Sequence, residues 1–372
     1  MKEGRSLVDL AKELERQLDT KKDYVAPTNL MEVIPVPKTL QDDGEMPLAL
    51  DLYPTLNAKS HQVDEEREHF GLTSLAENQI REFADVPAKY YKRLKDASPM
   101  MAANELNFWL GRQNTPRLIR TLDGNVRAFL SDRYRTIDNY DLAEAALPIL
   151  LADGQVQVVS AEVTDNHLYI KVVTQRLTFE VKPGDVVQAG LCLSNSEVGL
   201  GAVTVEPLLY RLVCLNGAVI NDRAMRKFHL GRRAEGMDSL YELFRDETRK
   251  ATDKAFMMQV QDVIRSAFDE AEFTKLRGTV VDASTRRIEA PVETVLDRVI
   301  ERFNFREHER GGLLQRLVEG GDLSQWGLAN AVTNLANSAE DYERATELER
   351  AGGEIITLPA TQWRELAIVP AA

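Results

Sequence analysis

Apolar side chains recur along the chain with two different periods, and the change from one to the other marks its organisation. Leu7, Leu10, Leu14 and Leu18 fall on one face of a helix, opened by Ser6 and Asp9 at the spacing of a capping box. Pro27, Pro35, Pro37, Pro47 and Pro54 then break the pattern. Proline neither continues a helix nor donates in a central strand, so this segment reads as an arm or linker. Helical spacing returns at Ser74 with Glu77, at Pro87, and at Ser98-Pro99, which leads into Leu106, Trp109 and Leu110.

Sheet chemistry begins at Leu118. Residues 118–122 and 126–130 flank Asp123-Gly124, a dipeptide favoured by two-residue hairpin turns. Asn139 is placed to cap a helix that reaches Ala152 with a bend at Pro148. Residues 156–158, 167–173, 177–181, 186–193 and 203–214 are rich in β-branched side chains, with turns at Asp165-Asn166 and Pro183-Gly184, and predict a sheet of five or more strands.

Past Gly236 the period turns helical. Leu240, Leu243, Phe244, Ala251, Ala255, Met258, Ile264 and Phe268 trace one stripe that Gly278 is expected to stop. Further helices are expected over 291–303, around 313–318, over 324–336 and over 338–350, with Gly352-Gly353 ending the last and a late strand over 354–358. The pattern predicts an α+β fold: a central, mainly antiparallel sheet with helices packed on it, followed by a helical C-terminal region. Its expected divisions are an amphipathic helix and proline-rich arm over 1–60, an α+β core over 61–236 and a mainly helical region over 237–372.

A length of 372 residues suffices for two domains with proper cores. The two cysteines, Cys192 and Cys214, lie in apolar stretches, as thiols do in a reducing compartment. Met1-Lys2-Glu3-Gly4-Arg5 runs into charged helix with no apolar signal core, and the most apolar helix candidate, over 142–152, is short and holds Glu144. A cytoplasmic protein without membrane contact is therefore expected.

Forty-six basic residues face 59 acidic ones, a net charge of −13, which opposes any coating of nucleic acid through bulk charge. The acids crowd the ends, in Asp42, Asp43, Glu45, Asp64, Glu65 and Glu66 and again in Glu340, Asp341, Glu343, Glu347 and Glu349. Recognisable catalytic patterns are missing. No GxxxxGK[ST] loop occurs, Gly199-Leu200-Gly201 lacks the third glycine of a dinucleotide fingerprint, and no GxSxG elbow is present. His61, His69, His167, His229 and His308 are scattered without a zinc spacing. The expectation is no enzyme activity, no cofactor and no metal.

Arginine placement is more informative. Arg112, Arg117, Arg120, Arg127, Arg133 and Arg135, with Tyr134, fall in one window whose acids are Asp123 and Asp132. A two-residue turn at Asp123-Gly124 sets Arg120 opposite Arg127, an arrangement that an anion between them would relieve. Arg211, Arg223, Arg226, Lys227, His229, Arg232 and Arg233 form a second window, opposed locally by Asp222. Converging arginines beside Phe129, Tyr134, Tyr210 and Phe228 are the ingredients of a groove that holds phosphates and stacks bases. Equally, they can pair with the surplus carboxylates inside the protein or across a subunit interface.

The stretch 193–199, Leu-Ser-Asn-Ser-Glu-Val-Gly, followed by Tyr210-Arg211-Leu212-Val213-Cys214-Leu215-Asn216-Gly217 and His229-Leu230-Gly231-Arg232, resembles the signature of a phage and plasmid family catalogued as domain of unknown function 932. Tyr134-Arg135, Asp138-Asn139, Asn330-Ala331-Val332-Thr333 and Trp363 are similar too, and the likeness runs over about 85–366. It implies a mobile-element DNA setting and no catalytic residue. The function expected on this basis is single-strand DNA binding or annealing by a homo-oligomer. The alternative is an acidic protein that inhibits a host defence or DNA-processing enzyme by mimicking the charge of DNA; an unrecognised hydrolase or nuclease is the third reading.

Overall fold

A computed structural model describes residues 1–36, 48–53, 55–57, 63–64, 67–152, 154–220 and 246–368. By internal contacts the chain divides into two compact units. The hairpin unit comprises Lys12–Ile137 with Ser196–Gly201, and the five-stranded unit comprises Met1–Ala11, Asp138–Asn195 and Ala202–Ala372. Helix α1 (Leu7–Thr20) opens at Ser6, whose hydroxyl accepts from the Asp9 amide at 3.1 Å and donates to the Asp9 carboxylate at 2.7 Å. No helix among the described residues is long and apolar enough to cross a membrane.

The hairpin unit is built on a sheet of β1 (Lys22–Pro27), β2 (Met31–Pro35), β3 (Leu48–Leu52), β4 (Thr55–Asn57), β5 (Val63–Asp64), β6 (Glu68–Leu72), β7 (Pro116–Leu122) and β8 (Asn125–Ser131). Their order is β2-β3-β6-β8-β7-β1-β4-β5, antiparallel except where β6 meets β8. The segment expected as an arm thus supplies strands. Pro27 and Pro35 are tolerated because each closes its strand at the last position, where no interior ladder bond is lost, while Pro37, Pro47 and Pro54 lie outside the described residues. Helices α2 (Ser74–Phe83), α3 (Ala88–Ala97) and α4 (Pro99–Arg112) pack on this sheet, burying Ile80, Tyr91, Leu106 and Leu110 with Tyr24, Leu50, Ile119 and Phe129. The cap of α2 is Thr73, whose hydroxyl accepts from Ala76, one residue ahead of the expected Ser74.

The β7–β8 hairpin forms where expected. Asp123 and Gly124 both take positive φ, 51° and 75°, as a type I′ turn needs. Leu122 faces Asn125, but the register shifts between Arg120 and Thr121, so Arg120 stands opposite Ala128 and not Arg127. Such a bulge gives one strand an extra residue and re-aims the side chains beyond it.

The five-stranded unit follows with α5 (Asn139–Ala152), β9 (Val156–Val163), β10 (Leu168–Glu180), β11 (Val186–Asn195), β12 (Thr204–Arg211) and β13 (Asn216–Val219), the strands forming an antiparallel sheet in the order β13-β12-β11-β10-β9. Two expected strands are one: β10 continues through a register shift between Val173 and Thr178. Then come α6 (Asp246–Ser266), α7 (Glu270–Thr285), α8 (Val292–Phe303), α9 (Glu309–Gly320), α10 (Gln325–Leu335), α11 (Tyr342–Thr357) and α12 (Ala360–Ala367). The long stripe breaks at Asp269, which caps α7 through the amides of Ala271 and Glu272, and Gly278 sits inside α7. Leu240, Leu243 and Phe244 lie outside the described residues.

Gly352-Gly353 does not end α11, and 354–358 form no strand. A Cβ on Gly352 would collide with the Thr333 methyl, and one on Gly353 with the Val219 carbonyl. The pair is there for close approach to α10 and β13, not for a stop.

That approach closes α11 over a polar row. Ser160, Lys171, Cys192 and Glu206 face one another across β9, β10, β11 and β12. Lys171, fully buried, meets the fully buried Glu349 at 2.5 Å and donates to Thr346 at 3.0 Å, with its ammonium 4.5 Å from the Tyr342 ring centre. Burial alone would discharge Lys171, and the Glu349 carboxylate raises its pKa instead. Arg350 pairs with Glu206 at 2.7 Å, and the Tyr342 and Ser160 hydroxyls share a 2.6 Å hydrogen bond. Part of the acidic C-terminal run is therefore consumed in the interior. Glu343 is half-buried beside this row. Burial pushes its carboxyl up, but hydrogen bonds from His167, Thr164 and Tyr169 outweigh that and hold it at about 2.

Lys171→Met should cost about 3–5 kcal/mol in urea unfolding, and Lys171→Met with Glu349→Leu should recover most of the loss, because the isolated charge and not the missing pair is the penalty. Glu343, depressed on folding, contributes stability that is fully present above the carboxyl's ordinary value of 4.5 and lost as pH falls through about 2. A Glu343→Gln variant should accordingly show a shallower fall of melting temperature across that window than the parent.

Candidate nucleic-acid interface

The hairpin brings several expected site residues together, though not on a surface. Arg120 is fully buried; its guanidinium donates to Asp23 at 2.9 and 3.2 Å and to the Glu197 carbonyl at 2.9 Å. Arg127 is buried and ion-paired with Glu197 at 2.5 Å, and Lys21 lies 3.7 Å from the same carboxylate. Tyr134, half-buried, donates to the Ser196 carbonyl at 3.0 Å, and burial raises its pKa. Arg117 is wedged between Phe83 and Phe129, 4.7 and 4.8 Å from the ring centres, and desolvation lowers its pKa.

Arg120 and Arg127 are thus removed from any groove. The physical reason is the register shift together with Ser196–Gly201, the segment that completes this unit and delivers Glu197 between the two guanidiniums. Gln79 holds that segment by donating to the Val198 carbonyl at 2.8 Å, while its own carbonyl accepts from Phe129 at 2.7 Å. Sequence reasoning missed Glu197, Asp23 and Lys21. The one signal was for Glu197, an acid standing inside an otherwise uncharged stretch, 190–205.

In the five-stranded unit Arg211 pairs with Asp185, whose second oxygen accepts from the Trp326 indole at 3.0 Å, and donates to the Cys214 thiol at 3.3 Å. Arg211 and Cys214 line a cleft of about 180 Å³ with Arg316, Glu319, Asp322, Asn330 and Asn334. Two carboxylates match its two guanidiniums, so it is no anion trap. Arg223, Arg226, Lys227, His229, Arg232 and Arg233 lie outside the described residues.

Among the remaining expected residues, Arg133 is exposed, Arg135 is half-buried and Arg112 is exposed near the end of α4. Arg112 is not isolated in kind. On α3, which packs against α4, Lys89, Lys92 and Arg93 are exposed, while Lys95 is drawn in at 2.9 Å to Glu77. Asp96 and Glu105 are the acids of these two helices, and Asp96 is held by Lys92 at 3.0 Å. Among the described residues no carboxylate lies within ion-pair distance of Lys89, Arg93 or Arg112. Exposed positive charge is therefore found on the α3–α4 layer and not on the hairpin.

An α+β chain whose motif segments build two buried ionic clusters is the class that the geometry defines. Residues 127–351, more than half of the chain, match the family model described as Domain of unknown function (DUF932), and the chain belongs to that family. The match spans Glu197, Lys171, Arg211 and Glu349 and leaves α3 and α4 outside it. No curated protein and no solved structure matches the chain.

Glu197→Gln should destabilise the protein by about 3 kcal/mol or more in denaturant unfolding, since it leaves Arg127 and Lys21 facing an uncharged amide in a buried site. If Glu197→Gln unfolds at the parent's midpoint, the cluster is not what holds Ser196–Gly201 in place.

Proposed function

We propose that this protein handles the DNA of a mobile element, a phage or plasmid, by binding or annealing single strands. The observation that carries the reading is the local charge of the α3–α4 layer: Lys89, Arg93 and Arg112 stand exposed, without carboxylate partners among the described residues, on a chain of net charge −13. Cations clustered without carboxylate partners repel one another, and a polyanion relieves that repulsion while releasing its own counterions on binding. The mobile-element setting comes from the family resemblance.

The test is fluorescence anisotropy of a labelled oligothymidylate over a series of salt concentrations. Affinity should fall with salt, and each of Lys89→Glu, Arg93→Glu and Arg112→Glu should lower the log–log slope by about 0.7 for every phosphate it ceases to neutralise. No detectable binding at low salt would sink the reading.

A further inference from the structure

The same two helices expose more than charge. Tyr90 is 48% exposed on α3, and Met100, Met101, Phe108 and Trp109 on α4 are 51, 52, 52 and 38% exposed. Leu106 and Leu110 of α4 are fully buried, so the helix has its apolar anchor without the rings, and Phe108 and Trp109 occupy positions that packing does not require. Phe108 and Trp109 meet edge to face, with ring centres 5.1 Å apart and planes at 86°. The indole N–H donates to Glu105 at 2.9 Å, and the Arg112 guanidinium sits 4.9 Å from the centre of the Phe108 ring. Both rings are thus held by residues one helical turn away, which lowers the entropy lost when something lies against them.

We infer that α3 and α4 carry a base-stacking platform for single-stranded nucleic acid, with Phe108 and Trp109 taking unpaired bases and Lys89, Arg93 and Arg112 the phosphates beside them. The inference rests on the DNA-binding reading and adds to it the mode of contact and the residues that make it. Single strands fit where duplexes do not, because stacking needs a free π-face, and inside a duplex both faces of each base are already covered by the neighbouring base pairs. Charge complementarity selects nucleic acid over an apolar protein segment. Of the charged side chains on α3 and α4, Lys89, Arg93 and Arg112 have no carboxylate partner among the described residues, and Glu105, the one carboxylate of α4, accepts from the Trp109 indole.

The chain supplies its own probe. Of its three tryptophans, Trp326 and Trp363 are buried, each 2% exposed, and Trp109 is the exposed one. Unlabelled oligothymidylate titrated into the full-length protein should quench tryptophan emission, and a self-complementary duplex of equal charge should not. Phe108→Ala and Trp109→Ala should each weaken single-strand binding at least about fivefold by anisotropy, the low end for removing one stacked ring, with the salt slope unchanged. Trp109→Phe should keep most of the affinity and lose the quench, which separates a missing ring from a misfolded helix. Oligonucleotide binding at parental affinity by both alanine variants would overturn the platform and leave DNA binding itself standing. No binding of any DNA at low salt would remove the reading beneath it. Loss of self-association in light scattering, with oligonucleotide binding intact, would assign the rings to a protein contact and overturn the proposal.

Discussion

Lys171 has no water to turn to. A charged side chain so enclosed persists only if an opposite charge is delivered to it in good geometry, and Glu349 of α11 is that delivery. This requirement fixes the pitch and depth of α11 over the five-stranded sheet, because Thr346, Glu349, Arg350 and Tyr342 must each find their partner on a strand beneath. The glycines that let the helix come close serve the same end. An apolar row would have been the simpler solution energetically, since a buried ion pair gains little over well-packed hydrophobic side chains of similar volume.

The hairpin unit solves the same problem with a loop in place of a helix. Arg120 and Arg127 bring charge into the interior from neighbouring strands, and Ser196–Gly201 brings Glu197 to meet it. In both units arginine and lysine are spent on internal neutralisation. On α3 and α4, by contrast, Lys89, Arg93 and Arg112 stay exposed on the same two helices as the rings of Phe108 and Trp109.

Legibility in the sequence followed how local each determinant is. The hairpin turn was readable because Asp123-Gly124 specifies its backbone by itself, and the amphipathic α1 because four leucines share a face. What could not be read depends on distant partners. The bulge at Arg127 has no composition of its own, and it alone changes which residue Arg120 faces. Prolines at the ends of β1 and β2 look the same as prolines in a linker until the neighbouring strands are known. Gly352-Gly353 carries the composition of a helix stop, and the close approach of Val219 and Thr333 overrides it. The arginine windows were visible as windows, but whether they pointed outward turned on Glu197 and Asp185, acids far away in sequence. Trp109 was legible only as part of the apolar spacing with Leu106 and Leu110, and its exposure beside Phe108 depends on which face of the helix the sheet covers.

The glycine pair in α11 also bears on how the five-stranded unit holds together. Each glycine costs a helix about 1 kcal/mol relative to alanine, so this segment is a poor helix until the sheet and α10 are there to receive it. In the chain α11 follows every strand of the sheet it covers, and it alone supplies Glu349 to Lys171 and Arg350 to Glu206. Helix formation in α11, exclusion of water from the polar row and the pairing of Lys171 with Glu349 are therefore linked energetically, so that weakening one weakens the others.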